Sequence, residues 1–327
     1  MLDQNHSIQD LLNDIEDEIK KLSIPSSPAN LYDPIKYMMQ LGGKRIRPLL
    51  TLLCARLFDH QISKANSIAI AIAYEMFHNF TLMHDDIMDD AKLRRGQPTV
   101  HEKWNIPISI LAGDTMFVKS VELLSSNQGL NNKEVLNLFL ETAAKVCEGQ
   151  QLDMDFETVA SVSIDQYLKM IELKTAVLLG ACCMSGALSS GTNQSNAKSL
   201  YDFGLNMGIA FQLQDDLLDS LGSEATFGKK IGGDIEAGKK TILYLITLKN
   251  LSPKDQASFI SIMNNNDLPS KFQKVLEFYT RTNAAEETMY LMEKYFSKAE
   301  KSLKSVSGAN ELDLLLLVME NLRVRIS

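Results

Sequence analysis

Apolar residues recur along most of this chain at the three-and-four spacing of one helix face. Residues 1–22 read as an amphipathic helix, and Ser23-Ile24-Pro25-Ser26-Ser27-Pro28 as a short break. Gly42-Gly43 ends the next helical stretch, and Pro48 fits the first turn of another. Residues 66–92 form a long periodic helix, after which Gly96, Pro98 and Pro107 bracket a loop and a short segment. Residues 108–252 and 270–327 contain no proline, which favours several long helices. Their punctuation falls at Asn127–Asn132, Ser189–Asn196, the glycine- and lysine-rich Gly222–Gly238, Ser252-Pro253 and Asn264–Pro269. Gly222–Gly238 reads as a loop. No row of alternating β-branched runs closed by Asn-Gly or Asp-Gly turns is present. The pattern predicts an all-α fold in a single domain over residues 1–327, with no internal repeat.

Composition changes this picture little. With 327 residues and 45% hydrophobic content, the chain is long enough for a large core. A net charge of −8 argues against a nucleic-acid binder. Cys54, Cys147, Cys182 and Cys183 have no C-x-x-C spacing, so buried reduced thiols are expected. The polar start Met1-Leu2-Asp3-Gln4-Asn5 lacks a basic-then-apolar signal, and the most apolar windows (68–83 and 312–322) contain charged or polar residues. The expectation is a cytoplasmic protein with no membrane anchor.

Two acidic clusters change the picture most. Asp85-Asp86-x-x-Asp89 and Asp215-Asp216-x-x-Asp219 each put carboxylates four residues apart on one helix face. One such cluster is most simply a solvated acidic face. Two of them, each following an apolar run (Phe80–Met83 and Gly208–Leu213), call for a neutralising cation, because like charges at i,i+4 repel. Oxygen ligands suit hard divalent ions, and magnesium keeps coordination positions for water and phosphate. Basic residues supply the complement to a polyanion. They are Lys44, Arg45 and Arg47 in Gly42–Pro48, Lys92, Arg94 and Arg95 after the first cluster, Lys229 and Lys230, and Lys239 and Lys240.

Five segments in order resemble the trans-isoprenyl diphosphate synthases, the short-chain polyprenyl synthetase family. They are Gly42–Pro48, His84–Thr99, Lys174-Thr175, Gly208–Asp219, and Gly228-Lys229 through Gly232-Gly233-Asp234 to Thr241. A small departure is Ile242-Leu243, where relatives often have Leu-Pro after the threonine. The resemblance implies a helical bundle around a deep central cavity, in a chain that joins isopentenyl diphosphate to an allylic diphosphate. It implies two or three Mg2+ ions held by Asp85, Asp89 and Asp215, with Asp86, Asp216 and Asp219 in support. Arg94, Lys174, Lys229 and Lys239 match the family's allylic diphosphate contacts. Lys44, Arg47, His78 and Arg95 match its isopentenyl diphosphate contacts. Thr175 and Gln212 match positions whose oxygens face the allylic cation. It also implies a homodimer.

Helix geometry adds an expectation about product length. If the allylic head sits at Asp85 and Asp89, the tail runs back along the same helix past Thr81 and Phe80 towards Phe77. One turn advances about 5.4 Å, roughly one isoprene unit. A ring at Phe80 then blocks deep growth, which favours a C20 or C15 product over long polyprenyl chains. The alternative for these aromatics is ordinary helix packing. Two other functions compete. A class I terpene cyclase has no need of the second diphosphate site at Gly42–Pro48, and a non-catalytic regulatory subunit is expected to have lost metal or phosphate residues.

Overall fold

In the computed structural model, residues 2–58, 64–222, 231–265 and 267–324 are described. Among them the secondary structure is helical apart from one two-residue hairpin, in agreement with the all-α expectation. Backbone contacts group the chain into two compact units. The first comprises Met1–Leu140, Ala181–Leu200 and Val306–Leu315, and the second Glu141–Gly180, Tyr201–Ser305 and Leu316–Ser327.

In the first unit, α1 (Leu2–Lys21), α2 (Ala29–Gln40), α3 (Ile46–Arg56) and α4 (Lys64–Met88) follow the predicted order. Helix α4 is the centre of this unit. Its run Ile70–Phe77 is buried on every side, as befits a helix covered all round rather than along one stripe. It packs against α3 and against α6 (Ile106–Ser125). Tyr74 donates to or accepts from Ser185 at 2.8 Å, and its ring meets Phe139 edge-on at 5.4 Å. Gly186, in α9 (Val177–Ser189), permits a close approach to α3: a Cβ there would lie 2.1 Å from the Thr51 carbonyl oxygen.

Helix α4 stops four residues before the predicted end. Asp90 adopts the left-handed conformation (φ 49°), Ala91 N–H donates to the Asp86 carbonyl at 2.9 Å, and Asp90 N–H to that of Ile87 at 3.3 Å. This paired closure ends the helix at Met88 and satisfies two of its last carbonyls. The following loop contains an antiparallel hairpin, Leu93–Arg94 with Gln97–Pro98, that no alternation signal announced. Arg95 (φ 54°) and Gly96 (φ 75°) form its two-residue turn, and both take the positive φ that such a turn demands. The four-residue α5 (Val100–Lys103) leads on to α6.

In the second unit, the C-terminal part of α7 (Asn132–Thr158), α8 (Ile164–Ile171) and α10 (Gln194–Leu221) surround the chemistry-bearing residues. Between α8 and α9, Glu172–Ala176 is a single π-helical turn. The expected loop Gly222–Gly238 contains a short helix, α11 (Gly233–Ala237), whose formation depends on a cap described below. Helices α12 (Ile242–Asn250), α13 (Pro253–Met263), α14 (Lys271–Arg281), α15 (Ala284–Lys304) and α16 (Leu312–Arg323) complete the chain. Phe203, Met207, Leu213, Leu243, Phe259, Tyr279 and Phe296 form this unit's core. One helical stretch, Ile164–Ser189, is long and apolar enough to cross a membrane. Of its most apolar window 78% is buried, as in a core helix.

Candidate active site

The first acidic cluster lies at the C-terminal end of α4, and the second in the last turns of α10. Helix C-termini carry partial negative charge from unpaired carbonyls, so acidic residues there are unfavourable unless a cation is close. Asp89 is exposed and Asp85 half-buried, one turn apart on the same face. Asp86 points elsewhere. It is 2% exposed, and Arg94 grips it with both arms of its guanidinium, Nε to Oδ2 at 2.7 Å and Nη2 to Oδ1 at 2.7 Å. Burial raises the Asp86 pKa, and the Arg94 pair opposes that rise. Arg94 Nη2 also stands 3.7 Å from Asp85 Oδ2. The hairpin therefore holds Arg94 against the acidic end of α4.

The glycine-rich segment before α3 meets the same hairpin. Gly42 (φ 77°) and Gly43 (φ 139°) need the backbone freedom of glycine. Arg95 donates to the Gly42 carbonyl, and a Cβ on Gly43 would lie 2.8 Å from Arg95 Nη2. Lys44 is exposed on this segment. Arg47, in the first turn of α3, contacts His78 at 3.0 Å through Nη1 and Nε2. Burial, followed by the charges of Arg47, Arg95, Arg94 and Arg45, holds the His78 imidazole well below the usual histidine range. His78 is thus neutral and can accept from Arg47. Sequence reasoning grouped Arg45 with these cations, but the fold gives it a different task. It is buried at the left-handed residue before α3 and bonds Glu16 at 2.7 Å, Glu75 at 2.6 Å and the Met39 carbonyl at 2.8 Å.

Lower on α4, Phe77 is 1% exposed and packs against Phe80, Phe117 and Phe139, with ring centroids 5.5, 6.0 and 5.2 Å away. Phe80 is half-buried and lies between that cluster and His84, whose ring is 4.8 Å away. Thr81 is half-buried, and its hydroxyl bonds the His78 carbonyl at 2.8 Å.

In the second unit, the π-helical turn carries Lys174 and Thr175. It exists because Gly149 on α7 and Gly208 on α10 leave room for it. A Cβ on Gly149 would lie 2.1 Å from Lys174 N, and one on Gly208 2.7 Å from Ala176 Cα. Lys174 Nζ pairs with Asp153 Oδ2 at 2.7 Å, and Thr175 donates to Gln212 Oε1 at 3.2 Å. Gln212 in turn donates to Asp216 Oδ1 at 3.3 Å. Asp216 also accepts from the Tyr167 hydroxyl and from Ile242 N–H at 3.3 Å. Its burial, reinforced by Asp234, pushes its pKa up to about 8. Asp219 accepts from Asp234 N–H at 3.0 Å through its side chain, and from Gly232 N–H at 2.6 Å through its carbonyl. Those bonds cap α11. Asp215 is half-buried on the remaining face.

Lys239 is half-buried just after Gly238. Its neighbour Lys240 instead bonds the Phe156 and Val159 carbonyls, both at 2.6 Å, at the C-terminal end of α7. Lys229 lies outside the described residues. Sequence reasoning missed Asp153, Tyr167 and the π-helical turn. Gly149, a lone glycine in a long proline-free helical run, was the signal available for the turn. Asp153 and Tyr167 had none, since their partners are distant in sequence.

Comparison with known proteins gives the arrangement its context. The polyprenyl synthetase family model matches residues 28–279. A short chain isoprenyl diphosphate synthase of Methanothermobacter thermautotrophicus is 34% identical over 306 residues, 93% of this chain and 93% of that protein. A geranylgeranyl diphosphate synthase of Sulfolobus acidocaldarius is 35% identical over 307 residues, 93% of this chain and 92% of that protein. A solved geranylgeranyl pyrophosphate synthase superposes with a TM-score of 0.90 at 39% identity, over 98% of this chain and 99% of the other. The chain belongs to the polyprenyl synthetase family.

Proposed function

We propose that this protein is a trans-prenyltransferase that condenses isopentenyl diphosphate with an allylic diphosphate to a short prenyl diphosphate of C20 or C15. The observation that carries the reading is the occurrence of an Asp-rich helix C-terminus in each unit and of a glycine-hinged arginine cluster in the first unit. The former calls for divalent cations and the latter for a polyanion. The helical fold and the relatives' names support the same reading.

Asp85, Asp89 and Asp215 fit a hard divalent cation, because they are half-buried or exposed carboxylates on negative helix ends. Asp86 is buried against Arg94, Asp216 against Tyr167 and Ile242, and Asp219 against the start of α11, so in this proposal they fix the helix ends and α11. When bound, Mg2+ supplies Lewis-acid stabilisation of the diphosphate leaving group. Lys174, held by Asp153, and Lys239 with Lys229 bind the allylic diphosphate, as does Arg94. Lys44, Arg47 and Arg95 bind isopentenyl diphosphate, with neutral His78 orienting Arg47. Thr175 and Gln212 turn their oxygens to the allylic cation, an electrostatic stabilisation that needs no reorganisation. The released diphosphate takes the proton lost on forming the new double bond. Phe80 limits chain growth and Phe77 backs it.

The exposed apolar positions Ile106, Ile110, Leu111 and Val118 on α6 support a homodimer. We also infer a cytoplasmic location, and one functional domain spanning residues 1–327, for which the family match running through both units is the support. Incubation with isopentenyl diphosphate, each allylic primer in turn and Mg2+, followed by mass analysis, tests the function. C15 or C20 diphosphates are expected. Cyclised hydrocarbon with no consumption of isopentenyl diphosphate would mean a cyclase instead, and no turnover with any primer would mean a regulatory subunit.

A further inference from the structure

The base of the arginine hairpin holds a second group of ligating side chains. Asp90, the left-handed residue closing α4, offers a carboxylate. His101 and Glu102, in the short helix after the hairpin, offer an imidazole and a carboxylate. One ligand atom from each lies within 4.8 Å of the other two. Two exposed carboxylates alone would be ordinary surface. His101 is different, because its side chain is only 4% exposed. Among the described residues, neither Nδ1 nor Nε2 has a hydrogen-bond partner, and the Glu102 carboxylate stands 3.8 Å from Nε2. Leaving both nitrogens of a buried imidazole unbonded is costly, and such a group calls for an explanation.

The place already draws a cation. Lys92 Nζ bonds Asp90 at 3.0 Å and Glu102 at 2.9 Å. The Lys92 side chain is 61% exposed, so it can swing into solvent and give up the place. We propose that Asp90, His101 and Glu102 bind one transition-metal dication of the zinc type, displacing the Lys92 ammonium. One imidazole nitrogen with two carboxylates is a donor set for zinc, cobalt or nickel, whereas the oxygen-only aspartates Asp85 and Asp89 suit magnesium. The ion joins the residue before the hairpin to two residues after it. The hairpin base is pinned there by Thr99, whose hydroxyl bonds the Ala91 carbonyl at 2.7 Å. A bound ion tightens that base and with it the placement of Arg94 and Arg95.

The probe is Co2+ alone, titrated into the full chain carrying Asp85→Asn, Asp89→Asn and Asp215→Asn, so that failure of the proposed magnesium ligands does not mask the result. One equivalent of Co2+ with a visible absorption band is expected, surviving a hundredfold excess of Mg2+. In that background His101→Gln weakens binding at least tenfold. Glu102→Gln, at an exposed position that cannot upset the core, does the same. Lys92→Met tightens binding several-fold. Absence of Co2+ binding, displacement by Mg2+, or binding undiminished in both the His101 and Glu102 variants overturns the proposal.

Discussion

Charged residues a few positions apart divide here between those buried in the fold and those left exposed, and the exposed ones are the proposed substrate contacts. Arg45 and Lys44 are neighbours, yet Arg45 is buried between two glutamates while Lys44 is exposed. Arg45→Ala leaves Glu75 buried without its partner, which costs about 3–5 kcal/mol. Lys44→Ala costs about 0.5 kcal/mol or less, as at other exposed positions. Urea unfolding of both variants checks the contrast, and equal losses would contradict it. His78 makes a pH-dependent contribution. Its folded pKa lies below the unfolded value near 6.5, so as pH falls the unfolded chain takes the proton first. Its contribution to stability is intact above about pH 6.5 and declines below it. The difference in Tm between wild type and His78→Gln should shift against the wild type from pH 7 to pH 5. A difference independent of pH would remove the assignment.

Among the helical elements, the π-helical turn and α4 position the side chains proposed to carry the chemistry. A π-turn inserts one residue into a helix and re-aims the side chains around it. Here it lets Lys174 meet Asp153 while Thr175 meets Gln212. Gly149→Ala puts a methyl into Lys174 N and forces the turn or α7 to move. A stability loss of about 1–3 kcal/mol is expected, as for overpacking, with a larger fall in kcat than in Lys174-independent binding. Unchanged kcat and Tm would show that the turn tolerates displacement. On α4, Phe80 and Phe77 differ in kind. Phe77 belongs to the core, and Phe77→Ala costs about 3–5 kcal/mol. Phe80 is half-buried, so Phe80→Ala should lengthen the products at a smaller stability cost. Mass analysis of the products reads the length directly, and an unchanged product distribution would leave Phe80 a packing residue.

For the whole molecule, cation binding and stability are linked. Carboxylates gathered at two helix C-termini make the metal-free state less favourable, so Mg2+ with a diphosphate ligand should raise Tm. The gain grows as RT ln(1 + [L]/Kd), about 2.7 kcal/mol at a hundredfold excess over Kd. Chelation should abolish both that gain and turnover. Asp215→Asn should reduce the gain, because Asp215 is the half-buried carboxylate of that cluster proposed to ligate the ion. Calorimetry with and without Mg2+ and inorganic diphosphate decides it, and a Tm indifferent to Mg2+ would count against the metal assignment.

The helical class, the course of most helices and the family were legible in the sequence, because apolar spacing and ordered motifs are local properties of the chain. The two acidic clusters and the basic segments were legible for the same reason. Only the tertiary structure decided which carboxylates face inward. Asp86 meets Arg94, Asp216 meets Tyr167 and Ile242, and Asp219 caps α11, partners that the spacing of the six aspartates does not name. It alone showed what Arg45 and Lys240 hold instead, since burial and partners depend on what packs over a residue. It alone showed the hairpin and the π-turn. Both arise where a tight turn or a close backbone approach overrides the helical period, at Arg95-Gly96 and Gly149.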